Sequence, residues 1–292
     1  MTVKTPLKWV GSKARLMPQL LPHLPKGKRL VEPFAGSCAV MMNTEYDEYL
    51  IADVNPDLIA FYKAIVDDPY DLIVRAKHLF ATFNTEHGYY DSRGSFNHDD
   101  TLEWKSALFL FLNRHGFNGL CRYNKRGLFN VPYGKYKNPY FPEKEILAFA
   151  EKAKRATFIT AGYMETLSQA RGGDVVYCDP PYLTESANFT AYHGSGFTHL
   201  DHGKLARKLR KLAGEGVTVV ASNSDINTVH LLYAGFDFVR LNAPRSVGAA
   251  AASQKSAPEL IIKSVSESPI IFSGIDPAAA SADFSFFHMA QP

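Results

Sequence analysis

A chain of 292 residues, 46% hydrophobic and 21% charged, has the make-up of an ordinary globular protein and can bury one large domain or one domain carrying an insertion. Its net charge of +3 is too small to identify a polyanionic partner, no apolar run approaches the roughly 20 residues of a membrane span, and the amino terminus lacks the apolar core of a signal peptide. The three cysteines Cys38, Cys121 and Cys178 form no CxxC pair, which excludes a zinc motif or disulfide framework and points to a reducing, cytoplasmic setting.

Residues 7–13 read Leu-Lys-Trp-Val-Gly-Ser-Lys, before a predicted helix over about 14–21. Gly11-Ser12-Lys13 matches the end of a phosphate loop but lacks its earlier glycine, so a nucleoside-triphosphate site is rejected. Taken alone, Trp9 and Lys13 read as a capped, half-exposed helix start. Arg29-Leu30-Val31 is a first strand, followed by Glu32-Pro33-Phe34-Ala35-Gly36-Ser37 and a helix to Asn43. A small, glycine-containing turn between strand and helix lets backbone approach a ligand closely and exposes helix N–H groups. A second strand over 49–52 ends at Asp53, where doubly wound folds place the acid that holds ribose hydroxyls, so the pair points to a nucleoside-containing cofactor.

The interval 55–156 is too long for one crossover and must hold an insertion, with helices over 57–66, 71–80 and 104–113. From Trp104 to Pro142 there is no Asp or Glu, but there are seven Lys or Arg (Lys105, Arg114, Arg122, Lys125, Arg126, Lys135, Lys137) and ten aromatics. Basic side chains neutralise phosphates, and interleaved aromatics and asparagines stack on bases or touch their edges. Asn118-Gly119 and Pro132-Tyr133-Gly134 mark turns, so part of this stretch is an exposed loop or hairpin. Phe109, Phe111 and Leu112 are expected to fill core instead.

Further strands are predicted over 157–160, 175–178, 217–221, 236–241 and 259–263, with helices over 199–213 and 225–233 between them. Seven strands alternating with helices predict an α/β fold with a mostly parallel, Rossmann-like sheet covered on both faces. No fixed-period repeat is present. The apolar run Val175-Val176-Tyr177-Cys178 ends in Asp179-Pro180-Pro181-Tyr182. Proline stops the ladder, leaving an acid, a free carbonyl and an aromatic at the strand end, a set that can grip a planar ring bearing an amino group. Residues 249–252 read as a flexible loop and 264–292, free of Lys and Arg, as a flexible tail.

In this order the motifs resemble the N6-adenine DNA methyltransferases, and more closely the bacterial and phage Dam-like DNA adenine methylases, over roughly residues 5–263. The matching segments are 7–13, 31–36 with Ala52-Asp53, 112–124, 129–136, the catalytic tetrapeptide 179–182 and residues 188–193. The resemblance implies a methyltransferase domain over 1–55 and 145–263 and an inserted DNA target-recognition domain over 56–144. It implies S-adenosylmethionine as methyl donor without a metal, double-stranded DNA as partner, no membrane, and no obligatory protein partner. By the same resemblance, Trp9, Lys13, Phe34, Gly36, Asp53 and Asp179 would hold the donor. Asp179, Pro180 and Tyr182 would carry catalysis on an adenine flipped out of the duplex, by direct transfer, with GATC the family's usual target. Lys8, Arg114, Phe117, Asn118, Leu120, Arg122, Asn124, Pro132, Lys135 and Tyr136 would meet the DNA. Cys38 stands where the family usually has a second glycine, and 249–255 carries fewer Lys and Arg than usual. The competing readings are an amino-methyltransferase acting on RNA or protein, which the 112–136 match opposes, and a DNA-binding regulator without catalysis, which an intact Asp179–Tyr182 and Asp53 oppose.

Overall fold

The computed structural model describes residues 2–98, 102–184, 197–241 and 259–265. Its strands are β1 Arg29–Glu32, β2 Glu48–Asp53, β3 Ala156–Thr160, β4 Val175–Cys178, β5 Thr218–Ser224, β6 Asp237–Leu241 and β7 Glu259–Lys263. Its α-helices are α1 Met17–Leu20, α2 Ala39–Asn43, α3 Pro56–Asp67, α4 Pro69–Thr82, α5 Glu86–His98, α6 Leu102–His115, α7 Glu143–Ala153, α8 Tyr163–Leu167, α9 His199–Gly214 and α10 Asn227–Leu232. No described helix is long and apolar enough to cross a membrane.

The strands form one seven-stranded sheet in the order β3-β2-β1-β4-β5-β7-β6. The chain winds outward from β1 to β3, then returns to pair β4 with β1, so the order reverses between them. The crevice beyond their carboxyl ends is where such sheets bind ligands. β7 runs antiparallel to both β5 and β6, and every other neighbouring pair is parallel. The sheet is therefore mostly parallel, as expected, but the reversal brings the first residue of β7, not its last, to the ligand edge. Glu259 pairs there with Ser224 and Leu241.

Alternate strand residues feed two cores, because successive side chains point to opposite faces. Leu30, Val175 and Tyr177 join the core beneath α1–α7, whereas Val31, Val176 and Cys178 join the one beneath α8–α10. The first core runs without a break from the sheet into the inserted helices, taking in Phe109, Phe111 and Leu112 as expected. The helix starts are written locally: Asn55 accepts from the Asp57 and Leu58 amides with Pro56 in the first turn, and Asp68 with Pro69 repeats the device.

One expectation is corrected. The helix predicted over 14–21 is broken into a 3₁₀ turn at Lys13–Arg15, α1, and a second 3₁₀ turn at Leu21–His23. Pro18 and Pro22 each lack the amide that a continuous helix requires. Packing is continuous across residue 56. Tyr62 of α3 stacks on Phe149 of α7 at 4.8 Å and lies 5.6 Å from Phe158 of β3, so α3 covers the sheet while also packing on the insertion. Helix α5 buries Tyr89 and Phe96. The segment 188–193, the loop 249–252, the stretch 249–255 and the tail from 266 lie outside the described residues.

Candidate active site and nucleic-acid interface

Strand β4 is buried along its length and ends at Cys178, where Pro180 and Pro181 stop the ladder. Asp179 follows at the crevice between β1 and β4. Its Oδ2 meets Lys13 Nζ at 2.7 Å, and Lys13 also reaches Glu259 Oε1 at 3.4 Å and the Gly11 carbonyl at 2.9 Å. Lys13 is 6% exposed, so it is a buried cation of the site and not the half-exposed helix start that its local sequence suggests. The Tyr182 hydroxyl donates to Glu259, and its ring lies under the Lys13 ammonium at 5.0 Å. The Asp179 side chain keeps one-fifth of its surface, but Oδ1 is turned inward and has no hydrogen-bond partner among the described residues.

Two carboxylates thus share one ammonium. Burial works against the Lys13 charge, but Asp179 and then Glu259 outweigh it and hold its pKa above the ordinary lysine value. Burial, opposed by Lys13 and assisted by Glu259, leaves Asp179 above the ordinary aspartate range. Lys13 makes an ionised Asp179 tolerable in a site that would otherwise favour its neutral form. Glu32, at the end of β1, is fully enclosed with Oε1 unpartnered, and burial pushes its carboxyl up to about 8.

Beside this cluster, the turn after β1 closes on the end of β2. The Ala35 amide donates to the Ala52 carbonyl, and Asp53 accepts from the Gly36 amide at 3.1 Å and the Asn55 amide at 3.0 Å. Gly36 has φ +46, and a Cβ there would lie 2.9 Å from Trp9 Nε1, so the indole occupies the space a side chain would need. Cys38 has φ +57, a left-handed conformation that favours glycine, which explains physically why a glycine suits this position. Phe34 is half-buried, stacks on Tyr163 at 5.7 Å and meets Phe197 edge-on at 5.7 Å. Trp9 against Gly36, Gly36 against Asp53 and Lys13 against Asp179 thus gather five of the six expected donor residues near the carboxyl ends of β1, β2 and β4, with Phe34 in the turn after β1.

The expected DNA-facing residues divide into two groups. Lys8 is clamped by Asn113, whose side chain accepts from the Lys8 amide at 2.9 Å and donates to its carbonyl at 2.8 Å. This holds the Lys8 ammonium over the Tyr136 ring at 4.0 Å, where burial and then Arg114 lower its pKa. The Tyr136 hydroxyl accepts from the Asn118 amide at 3.1 Å, and the Phe117 amide donates to the Pro132 carbonyl at 2.9 Å. Gly119, at φ +63, lets this turn touch the amino-terminal arm, residues 6–13: a Cβ there would collide with Lys8 Cβ. Phe117, 48% exposed, projects from the turn, and Leu120 is half-buried behind it.

Farther along, Arg122 donates through Nε to Asn130 Oδ1 at 2.8 Å and through Nη2 to the Asn130 carbonyl at 3.1 Å. A guanidinium has five N–H donors, so the rest of the fork is available to a ligand. Asn124 is exposed, but its Oδ1 shapes its own turn by accepting from the Arg126 and Leu128 amides. Pro132 and Lys135 are exposed on the same segment. Arg114 departs from expectation. It is 7% exposed, donates to the Pro6 carbonyl and faces Tyr140, and burial lowers its pKa to about 10. Its charge ties down the amino-terminal arm and is not offered to phosphate.

With this geometry in view, a family model for D12 class N6 adenine-specific DNA methyltransferases matches residues 9–247. The chain belongs to that family. The Retron Ec67 DNA adenine methylase of Escherichia coli is 53% identical over 89% of this chain and 90% of its own length. The DNA adenine methylase of Vibrio cholerae O395 is 47% identical over 87% and 94%, and that of Escherichia coli K12 is 41% identical over 87% and 93%. As a member of this methyltransferase family the chain is an enzyme of adenine methylation in DNA.

Three residues packed against the expected site residues were not singled out from sequence. Tyr163 and Phe197 complete the aromatic cluster around Phe34, and Glu259 completes the Lys13–Asp179–Tyr182 group. An acid opening the apolar run Glu259-Leu260-Ile261-Ile262 was the one available signal for Glu259.

Proposed function

We propose that the enzyme transfers the methyl group of S-adenosylmethionine to N6 of a flipped adenine, within GATC in duplex DNA, in a bacterial cytoplasm. The observation that carries this reading is the cluster at the end of β4, where Asp179, held through Oδ2 by Lys13, and the Pro180 carbonyl adjoin Tyr182, whose ring also faces the Lys13 ammonium. A carboxylate and a carbonyl at one strand end are both acceptors, and an exocyclic amino group offers two donors.

The residues present fit the donor. Asp53 would take its ribose hydroxyls, the ring of Phe34 its adenine, and Trp9, Lys13 and the backbone around Gly36 its methionine part. When bound, S-adenosylmethionine supplies a sulfonium methyl group open to direct displacement by nitrogen. Asp179 and the Pro180 carbonyl accept the two N6 hydrogens of the target, concentrating electron density on a nitrogen whose lone pair is otherwise delocalised into the ring. Tyr182 stacks on the base and fixes its plane, so orientation supplies much of the rate. Phe117 and Leu120 are suited to fill the space that a flipped base leaves, and Pro132, Asn118 and Arg122 to read base edges. Lys8 and Tyr136 meet the first base pair, and Asn124 and Lys135 the phosphates.

The test is transfer of labelled methyl groups to a GATC duplex, to the same duplex with the adenine site scrambled, and to RNA. Wild type should label the first alone, and Asp179→Ala should lower the rate at least about 100-fold with duplex binding retained. Labelling of RNA, or specific binding with no transfer by wild type, contradicts the proposal.

A further inference from the structure

We propose that Glu259 is a positioning residue for methyl transfer: it anchors the Tyr182 hydroxyl and thereby sets the plane of the ring on which the target base stacks. The inference rests on the proposed function and adds to it a residue supplied by the far side of the sheet.

The topology explains how a residue so late in the chain arrives here. Because β7 is antiparallel to β5, its first residue lies at the carboxyl ends of the parallel strands. Glu259 opens that strand at 9% exposure, followed by the buried Leu260, Ile261 and Ile262. An acid enclosed there is costly unless its oxygens are engaged, and Oε1 is engaged by Lys13 and by the Tyr182 hydroxyl.

The two engagements differ in what they contribute. Lys13 already has a closer carboxylate in Asp179, at 2.7 Å against 3.4 Å for Glu259, so Glu259 is the secondary partner of the ammonium. The tie to Tyr182 has a different character. Tyr182 follows two prolines and lies outside the strand ladder, so pairing with neighbouring strands does not hold its ring. A hydrogen bond at the far end of the ring fixes its tilt, and the Lys13 ammonium over its face limits movement on that side. Glu259 thus touches neither the base nor the donor in this account. It acts through Tyr182.

The experiment is a double-mutant cycle on purified full-length enzyme, measuring kcat and duplex Kd for wild type, Glu259→Ala, Glu259→Gln, Tyr182→Phe and the Glu259→Ala/Tyr182→Phe pair. The Phe variant keeps the ring and removes the hydroxyl. Glu259→Ala is expected to lower kcat about tenfold in wild type but less than about twofold in the Tyr182→Phe background, because the shared contact is already gone. Duplex Kd should stay within about twofold throughout, a split between binding and rate that general loosening of the fold would not give. Glu259→Gln, which keeps an acceptor of the same reach, should restore most of the rate and provides the comparison if the alanine variant folds poorly. Full multiplication of the two costs, or a Gln variant as slow as Ala, overturns the assignment. Absence of adenine methylation by the wild type would instead overturn the proposed function itself.

Discussion

Among single residues, the acids of the crevice differ by what surrounds each. Asp179 has an ammonium at 2.7 Å, whereas Glu32 has no cation partner among the described residues and is held near 8 by burial, with the nearby Asp179 charge adding to the rise. A carboxyl raised from 4.5 to about 8 holds its proton in the folded state after the unfolded chain has lost it. Its contribution is therefore complete below about pH 4.5 and is lost as pH rises toward 8. Glu32→Gln keeps the shape of the neutral acid and removes the titration. Urea unfolding should show the variant gaining on wild type from pH 5 to 8, by an amount on the order of 3–5 kcal/mol, and levelling off above that. A difference independent of pH would show that Glu32 does not titrate in this window. Arg122 makes a second residue-scale case, since Asn130 holds only one side of its guanidinium. Arg122→Ala should relax sequence choice, costing about 1–3 kcal/mol against the preferred site alone. Equal weakening on all sequences would reassign it to phosphate.

At the scale of elements, the amino-terminal arm is fixed in place because α6 grips it. Asn113 clamps the backbone of Lys8 from both sides, Arg114 holds Pro6, and the arm then delivers Trp9 to Gly36 and Lys13 to Asp179. Asn113→Ala should cost about 1–3 kcal/mol of stability in thermal or urea unfolding and should weaken duplex binding as well, since Lys8 and Tyr136 lose their register. Destabilisation with unchanged duplex Kd would separate the arm from recognition. This scale also shows what a single sequence can convey. The strand ends at Asp53 and Asp179 were legible because apolar runs stop at an acid or at proline, a strictly local signal. Helix α5 was not, because its polar, glycine-containing run is held by the burial of Tyr89 and Phe96 under neighbouring helices. The direction of β7 depends on pairing with β5 and β6, and the burial of Arg114 depends on Pro6, more than a hundred residues earlier. Neither leaves a mark in the local pattern.

For the molecule as a whole, the sheet and the inserted helices share one core, which ties the loops over 117–137 to the crevice at the ends of β1 and β4 without an intervening linker. The acid-free stretch 104–142 contributes less positive surface than its composition implies. Arg114 is buried and Lys105 faces Asp57 at 3.7 Å, leaving Arg122, Lys125, Arg126, Lys135 and Lys137 on the outward side. Arg122 is partly buried and the other four are exposed, and the proposed duplex contact along 117–137 rests on these five. The measurement that bears most directly on this account is to incubate the enzyme with S-adenosylmethionine and unmethylated DNA of mixed sequence, then map every N6-methyladenine. The expected map shows methylation at the adenine of GATC on both strands, absent with Asp179→Ala. A map with methyl groups at another sequence would contradict the proposed specificity, and one with methyl groups on cytosine or with none at all would contradict the role given to Asp179.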